Sequence, residues 1–191
     1  PAPEGAAAWQ ASSTERITLR CGVEAPAQYT PYAQTEDIDD ARWLRVNDAT
    51  PGSTLATWFT VDRSPVLAVT ADVEQLRSGA APVAGIDTSA LNGPAPEQHP
   101  APLADLAAAG DAGTCDSLLD AAPDSIAEGY TRVDAVSEQT VAWSAEGQDA
   151  IVLRCGVADP ENYGPGARLD QINGVPWFED VKLANGTTAS T

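Results

Sequence analysis

The chain has 191 residues, 43% of them apolar, with five tryptophans, three cysteines and no methionine, which suffices for one sizeable domain or two small ones. Ten basic residues stand against 28 acidic ones, a formal charge of −18, and Lys182 is the single lysine. Such a surface repels phosphate backbones and anionic headgroups, so no nucleic acid and no lipid surface is expected as a partner, and no apolar run approaches the roughly 18 residues that span a bilayer.

The opening PAPEGAAAW reads as the interior of a longer protein, so an export signal or membrane anchor is expected upstream of Pro1. In ITLRCGV, Ile17, Leu19 and Cys21 alternate with Thr18 and Arg20, the period of a half-buried strand. ARWLRV (41–46) is a second strand. TPGS (50–53) turns the chain into TLATWFTVD (54–62), and RSP (63–65) turns it again into VLAVTAD (66–72). Strands joined by short turns predict an antiparallel sheet. Residues 78–113 contain five prolines and no Lys or Arg. Their composition is that of a linker, expected to lie against a surface, with a helical turn at APLADLAAA (101–109). TCDSLLDAAP then predicts a short helix with Thr114 as N-cap, Asp116 in its first turn, and Pro123 as its breaker. TVAWS (140–144), AIVLRCGV (150–157) and VPWFEDV (175–181) are further strands, the last two separated by the Pro/Gly-rich loop 158–168.

Displaced by 134 positions, residues 1–57 fall on 135–191 without a gap and with 19 identities. Trp9 meets Trp143, Leu19 to Val23 meet Leu153 to Val157, and Pro26, Tyr29 and Pro31 meet Pro160, Tyr163 and Pro165. Ile38 meets Ile172, Trp43 meets Trp177 and Gly52 meets Gly186. Tryptophan and cysteine are rare here, so their coincidence in one register marks a tandem duplication. The second copy stops at the equivalent of Thr57, and the first begins after the equivalent of the 114–133 helix. The expectation is therefore a piece of a longer two-unit protein of α+β class, each unit a short helix plus an antiparallel sheet of about four or five strands. Residues 1–77 are the C-terminal part of the first unit, 78–113 the Pro/Ala-rich linker, and 114–191 the N-terminal part of the second.

If each unit owns one cysteine on its helix and one in its LRCG strand, Cys115 pairs with Cys155, and Cys21 has its partner upstream of Pro1. Three free thiols, or Cys21 with Cys115, are the alternatives. A disulfide places the protein in an oxidising, extracytoplasmic compartment. A Cys–His nucleophile is not expected, because the single histidine, His99, sits in the linker and has no duplicate. Zinc lacks its ligand spacing, and calcium at Asp37, Asp39 and Asp40 is disfavoured because the duplicates are Gln171, Asn173 and Gly174. No phosphate-cradling glycine motif occurs, AWSAEG is not a nucleophile elbow, and Glu179 and Asp180 are neighbours on a strand that point apart. No cofactor, no metal and no catalytic residue is assigned. The duplicated Trp9/Trp143, Trp43/Trp177 and Arg20/Arg154 leave two readings: core tryptophans beside locally paired arginines, or a ligand groove lined by Trp143, Arg154 and Trp177.

The stretches CDSLLDAAP, the AAW element, the two LRCG segments and TWFTVDRSP together resemble a family of actinobacterial proteins known only as a domain of unknown function. The tandem form is similar to its corynebacterial members. The resemblance covers nearly all of the chain outside the linker. It implies a membrane-anchored domain on the envelope side and brings no activity.

Three readings follow. The first is a non-enzymatic extracytoplasmic envelope module acting by protein–protein interaction, an accessory part of a membrane or cell-wall assembly. The second is a binding domain for a cell-wall fragment, and the third a hydrolase working through carboxylates. A functional groove should keep the same exposed residues in both copies, whereas a scaffold should keep buried ones. The second unit, lacking its closing strands, is expected to present an open edge for the first unit or another molecule to fill.

Overall fold

The computed structural model describes residues 5–10, 16–76, 81–107 and 112–180. Six strands of the first copy form one antiparallel sheet: β1 (Ala6–Gln10), β2 (Arg16–Val23), β3 (Thr35–Ile38), β4 (Ala41–Asn47), β5 (Leu55–Thr60) and β6 (Val66–Asp72), in the order β1-β2-β6-β5-β4-β3. β6 falls on the expected residues, and β4 and β5 lie within a residue or two of theirs. The expected count of four or five strands missed β3, because its acidic TEDI carries no apolar alternation to betray a strand.

Alternation decides which face is buried. Trp43 on β4, Ala56 and Trp58 on β5, and Leu67, Val69 and Ala71 on β6 form one apolar layer. Residues 81–91 of the connector cover it with Val83, Ile86 and Leu91. The connector is held there by polar contacts as well. Arg63 Nη1 donates to Thr88 Oγ1 at 2.8 Å, its Nη2 donates to the Asp40 carbonyl and to Asp62 Oδ2, and the Gly85 amide donates to Asp39 Oδ2 at 2.7 Å. No helical turn forms within 101–107: Leu106 instead bridges Val157 antiparallel.

The second copy begins with α1 (Ala112–Asp120), two residues earlier than expected, so Thr114 lies within the first turn instead of capping it. β7 (Thr131–Val133), β8 (Thr140–Ser144) and β9 (Ile151–Arg154) make a three-stranded sheet, and β10 (Asp170–Ile172) pairs with β11 (Val175–Trp177) as a separate hairpin. β9 and β11 are shorter than the strands expected over 150–157 and 175–181; Val181 lies outside the described residues.

The duplication is reproduced bond by bond. Trp9 pairs with Ile17 and Trp143 with Ile151; Ile38 pairs with Ala41 and Ile172 with Val175. The Cys21 amide donates to the Gly5 carbonyl and the Cys155 amide to the Gln139 carbonyl, each at 2.9 Å. Asp39 and Asn173 both hold left-handed φ, as do Gly22 and Gly156. The two small sheets of the second copy correspond to the two ends of the first copy's sheet. In the first copy β6 and β5 join those ends, and only the first three positions of β5's equivalent, 189–191, fall within the 191 residues.

The copies touch through β4 and the segment after β8. The Asn47 amide donates to the Gly147 carbonyl at 2.8 Å, Gln34 Nε2 donates to the Ser144 carbonyl at 3.2 Å, and Arg45 Nη1 reaches Glu146 Oε1 at 2.7 Å. At Gly147, whose φ is left-handed, a Cβ would sit 2.5 Å from Asn47 Oδ1, so the Asn47 side chain would have to shift.

Candidate functional site

Cys115 and Cys155 are joined in a disulfide that fastens α1 to the end of β9, with Cα atoms 5.6 Å apart and Cys115 buried. Cys21, the equivalent of Cys155, is a free and exposed thiol.

Of the two readings of the duplicated residues, the groove of Trp143, Arg154 and Trp177 is not the one that forms among the described residues. Trp143 is 1% exposed and donates its Nε1 hydrogen to the Pro123 carbonyl, just after α1, at 2.8 Å. No ligand reaches it. Trp177 is 54% exposed on the β10–β11 hairpin, a different sheet. Arg154 is half-buried, and its Nη1 donates to the Ala104 carbonyl at 2.7 Å, which ties it to the connector. The groove of Trp143, Arg154 and Trp177 is therefore not assembled: each residue serves or faces a separate part of the fold.

The remaining sequence candidates also have structural occupations. Asp37 pairs with Arg42, Asp39 accepts from Gly85, and Asp40 accepts from Thr88, so the acidic cluster is consumed in holding turn and connector. Among the described residues no three His, Cys, Asp or Glu side chains converge as a metal set. His99 anchors the connector, its amide donating to the Tyr29 carbonyl at 2.8 Å. Ser144 of AWSAEG is fully buried. Asp180 accepts from Asn162 Nδ2 at 3.2 Å, while Glu179 is exposed.

A different Arg–Trp constellation is present at the junction of the copies. Gln34, Thr35, Glu36, Trp43, Arg45, Trp58 and Glu146 line a cleft of about 200 Å³. The Arg45 guanidinium lies 5.4 Å from the Trp58 ring centroid, donates from Nε to Asn47 Oδ1 at 3.0 Å, and forms the 2.7 Å ion pair with Glu146. Sequence reasoning missed it because it followed duplicated residues, and Arg45 aligns with Glu179 while Glu146 aligns with Ser12. A second cleft of about 290 Å³ lies between Pro26, Val46, Leu55 and Phe59, with Thr57 and Thr70 sharing a 2.8 Å hydroxyl hydrogen bond at its floor.

The family model described as protein of unknown function DUF3515 matches twice, over residues 1–92 and 83–191. The chain belongs to the DUF3515 family. No curated protein and no solved structure matches it. The two DUF3515 matches meet within the connector. The family description carries no activity.

The two DUF3515 copies differ in what they keep. Trp43 is 2% exposed in the first copy, where it packs in one cluster with residues of β5, β6 and the connector, while its equivalent Trp177 is open. Trp143 is sealed in the second copy, where α1 is present, while its equivalent Trp9 is 56% exposed. Each shared tryptophan is thus buried in one copy and exposed in the other. Other shared residues shape turns: the Tyr29 amide donates to Pro26 and the Tyr163 amide to Pro160, both at 2.9 Å. The Arg45–Glu146 pair of the junction cleft is not shared, its equivalents being Glu179 and Ser12, and Asp40 aligns with Gly174.

Proposed function

We propose that this DUF3515 chain is a non-enzymatic, extracytoplasmic module of the cell envelope that works by protein–protein interaction. The observation that carries this reading is the pattern of sharing: duplication has kept the tryptophans, the LRCG strand and the proline turns, and it has not kept the Arg45–Glu146 pair of the junction cleft. That is the signature of a scaffold used twice. The Cys115–Cys155 disulfide supports an oxidising compartment, and a charge of −18 favours partners with basic surfaces. The test is chemical cross-linking of the protein in its native envelope, followed by mass spectrometry of the linked peptides. A defined partner protein linked at reproducible sites is expected. If only glycan or peptide fragments of the wall accompany the protein, the reading is wrong.

A second reading rests on the junction cleft: a small anionic wall fragment that would displace Glu146 from Arg45 and lie against Trp58. Its volume, about 200 Å³, falls below the roughly 300 Å³ at which small-molecule sites begin, so we rank it second. Arg45→Ala should abolish fragment binding if this cleft is the site.

A further inference from the structure

The β1–β2 hairpin of the first copy presents three features that are exposed or unpaired together, and each has an occupied counterpart in the second copy. The outer edge of β1 pairs with no strand among the described residues, whereas β8 is flanked by β7. Trp9 is 56% exposed, whereas Trp143 is covered and hydrogen-bonded to the Pro123 carbonyl. Cys21 is a free, exposed thiol, whereas Cys155 is bonded to Cys115.

The hairpin is already shaped for such a partner. Its strand register is that of β8–β9, and the Cys21 and Cys155 amides make the same 2.9 Å bond to residues 5 and 139. Gly22 and Gly156 share a left-handed φ of 77° and 75°. A Cβ on Gly156 would meet Cys115 Sγ at 3.6 Å, while one on Gly22 would meet nothing within 4 Å. In the second copy the occupant is a helix followed by a strand. Arg132 on β7 ties the two together, donating to the carbonyls of Leu119 and Ala122 near the end of the helix.

We propose that the β1–β2 hairpin is a docking site for a cysteine-bearing helix–strand segment of the α1–β7 kind. The segment covers Trp9, adds a strand to the edge of β1, and joins Cys21 in a disulfide. This proposal goes beyond the envelope reading and is independent of it, since it concerns a surface assayed with purified components.

The probe is a synthetic peptide with the sequence of residues 112–134, supplied as its mixed disulfide with glutathione, added to the 191-residue chain. The Cys21 thiolate attacks the peptide sulfur, a new S–S bond forms, and glutathione leaves as its thiolate, so the exchange is redox-neutral. At equilibrium in a glutathione buffer, the Cys21–peptide disulfide should be favoured at least tenfold over that of a scrambled peptide keeping the same cysteine. Peptide mapping should show Cys115–Cys155 intact. In a Trp177→Phe background, acrylamide quenching of Trp9 should fall by at least half when the native-sequence peptide is bound. A Cys21→Ser chain should still bind the Cys→Ser peptide without the covalent bond and shield Trp9. Equal disulfide formation with both peptides, an unshielded Trp9, or Cys21–Cys21 dimers that the peptide does not displace would each overturn the proposal.

Discussion

Replacing Cys115 and Cys155 together by alanine removes a covalent link between residues 40 apart in sequence. In the chain-entropy model, closing a loop of that size is worth about 4 kcal/mol. The loss should be local. The disulfide closes a loop containing α1, β7, β8 and β9, whereas the six-stranded sheet of the first copy is held by its own ladders and by Val83, Ile86 and Leu91. Native-state hydrogen exchange resolves the two regions. Amides of β8 and β9 should lose close to three orders of magnitude of protection, since each 1.4 kcal/mol is tenfold, while those of β5 and β6 change by less than threefold. A loss in β8–β9 of less than threefold would show that three strands and the connector hold this region without the staple. Equal loss in both regions would show that the copies unfold as one cooperative unit, refuting the local argument.

Other predictions follow from the same asymmetries. Trp43→Ala and Trp143→Ala should each cost about 3–5 kcal/mol in urea denaturation, whereas Trp177→Ala and Trp9→Ala, at their duplicate positions, should stay within about 0.5 kcal/mol. Gly156→Ala should cost about 1–3 kcal/mol because its φ is left-handed. Gly22→Ala should cost less, since Gln139 Oε1 lies 2.8 Å from a Cβ at 156 and nothing lies within 4 Å of one at 22. Partial burial pushes the Asp62 carboxyl up, but the hydrogen bond and charge of Arg63 and the Arg42 backbone outweigh it and hold it below the usual aspartate range. Asp62 therefore contributes stability that is present above the ordinary carboxylate range and is lost as pH falls through its lower folded value. A melting-temperature series from pH 7 to 2.5 should show this acid loss, and Asp62→Asn should flatten it.

Much of the fold was legible because strand alternation and the 134-residue register are local properties. The register also led to the Cys115–Cys155 pairing, since an odd cysteine count needed an explanation. β3 and β10 escaped notice because their sequences, TEDI and DQI, are polar; the signal that could have found β10 is the Asn173-Gly174 pair that follows it. Both residues hold positive φ, as a two-residue hairpin turn requires. Thr114 was misplaced as a cap because helix boundaries depend on the last turn formed, which composition leaves open by a residue or two. Of the two readings left open for Trp143, Arg154 and Trp177, the core reading holds at Trp143, which is buried, and the groove reading does not. Duplication alone is compatible with a shared surface or a shared core, and burial, which decides between them, is a tertiary property.

By itself the sequence determined that this chain is a tandem of one strand-rich unit, acidic, with a cysteine in each LRCG strand, because repeats, charge and alternation are written residue by residue. Only the tertiary structure decided which copy of each shared residue is buried. Burial depends on which strands and which helix lie alongside. Trp43 is packed among residues of β5, β6 and the connector, and Trp143 is buried and bonded to the Pro123 carbonyl, while the same side chains at Trp177 and Trp9 stand open.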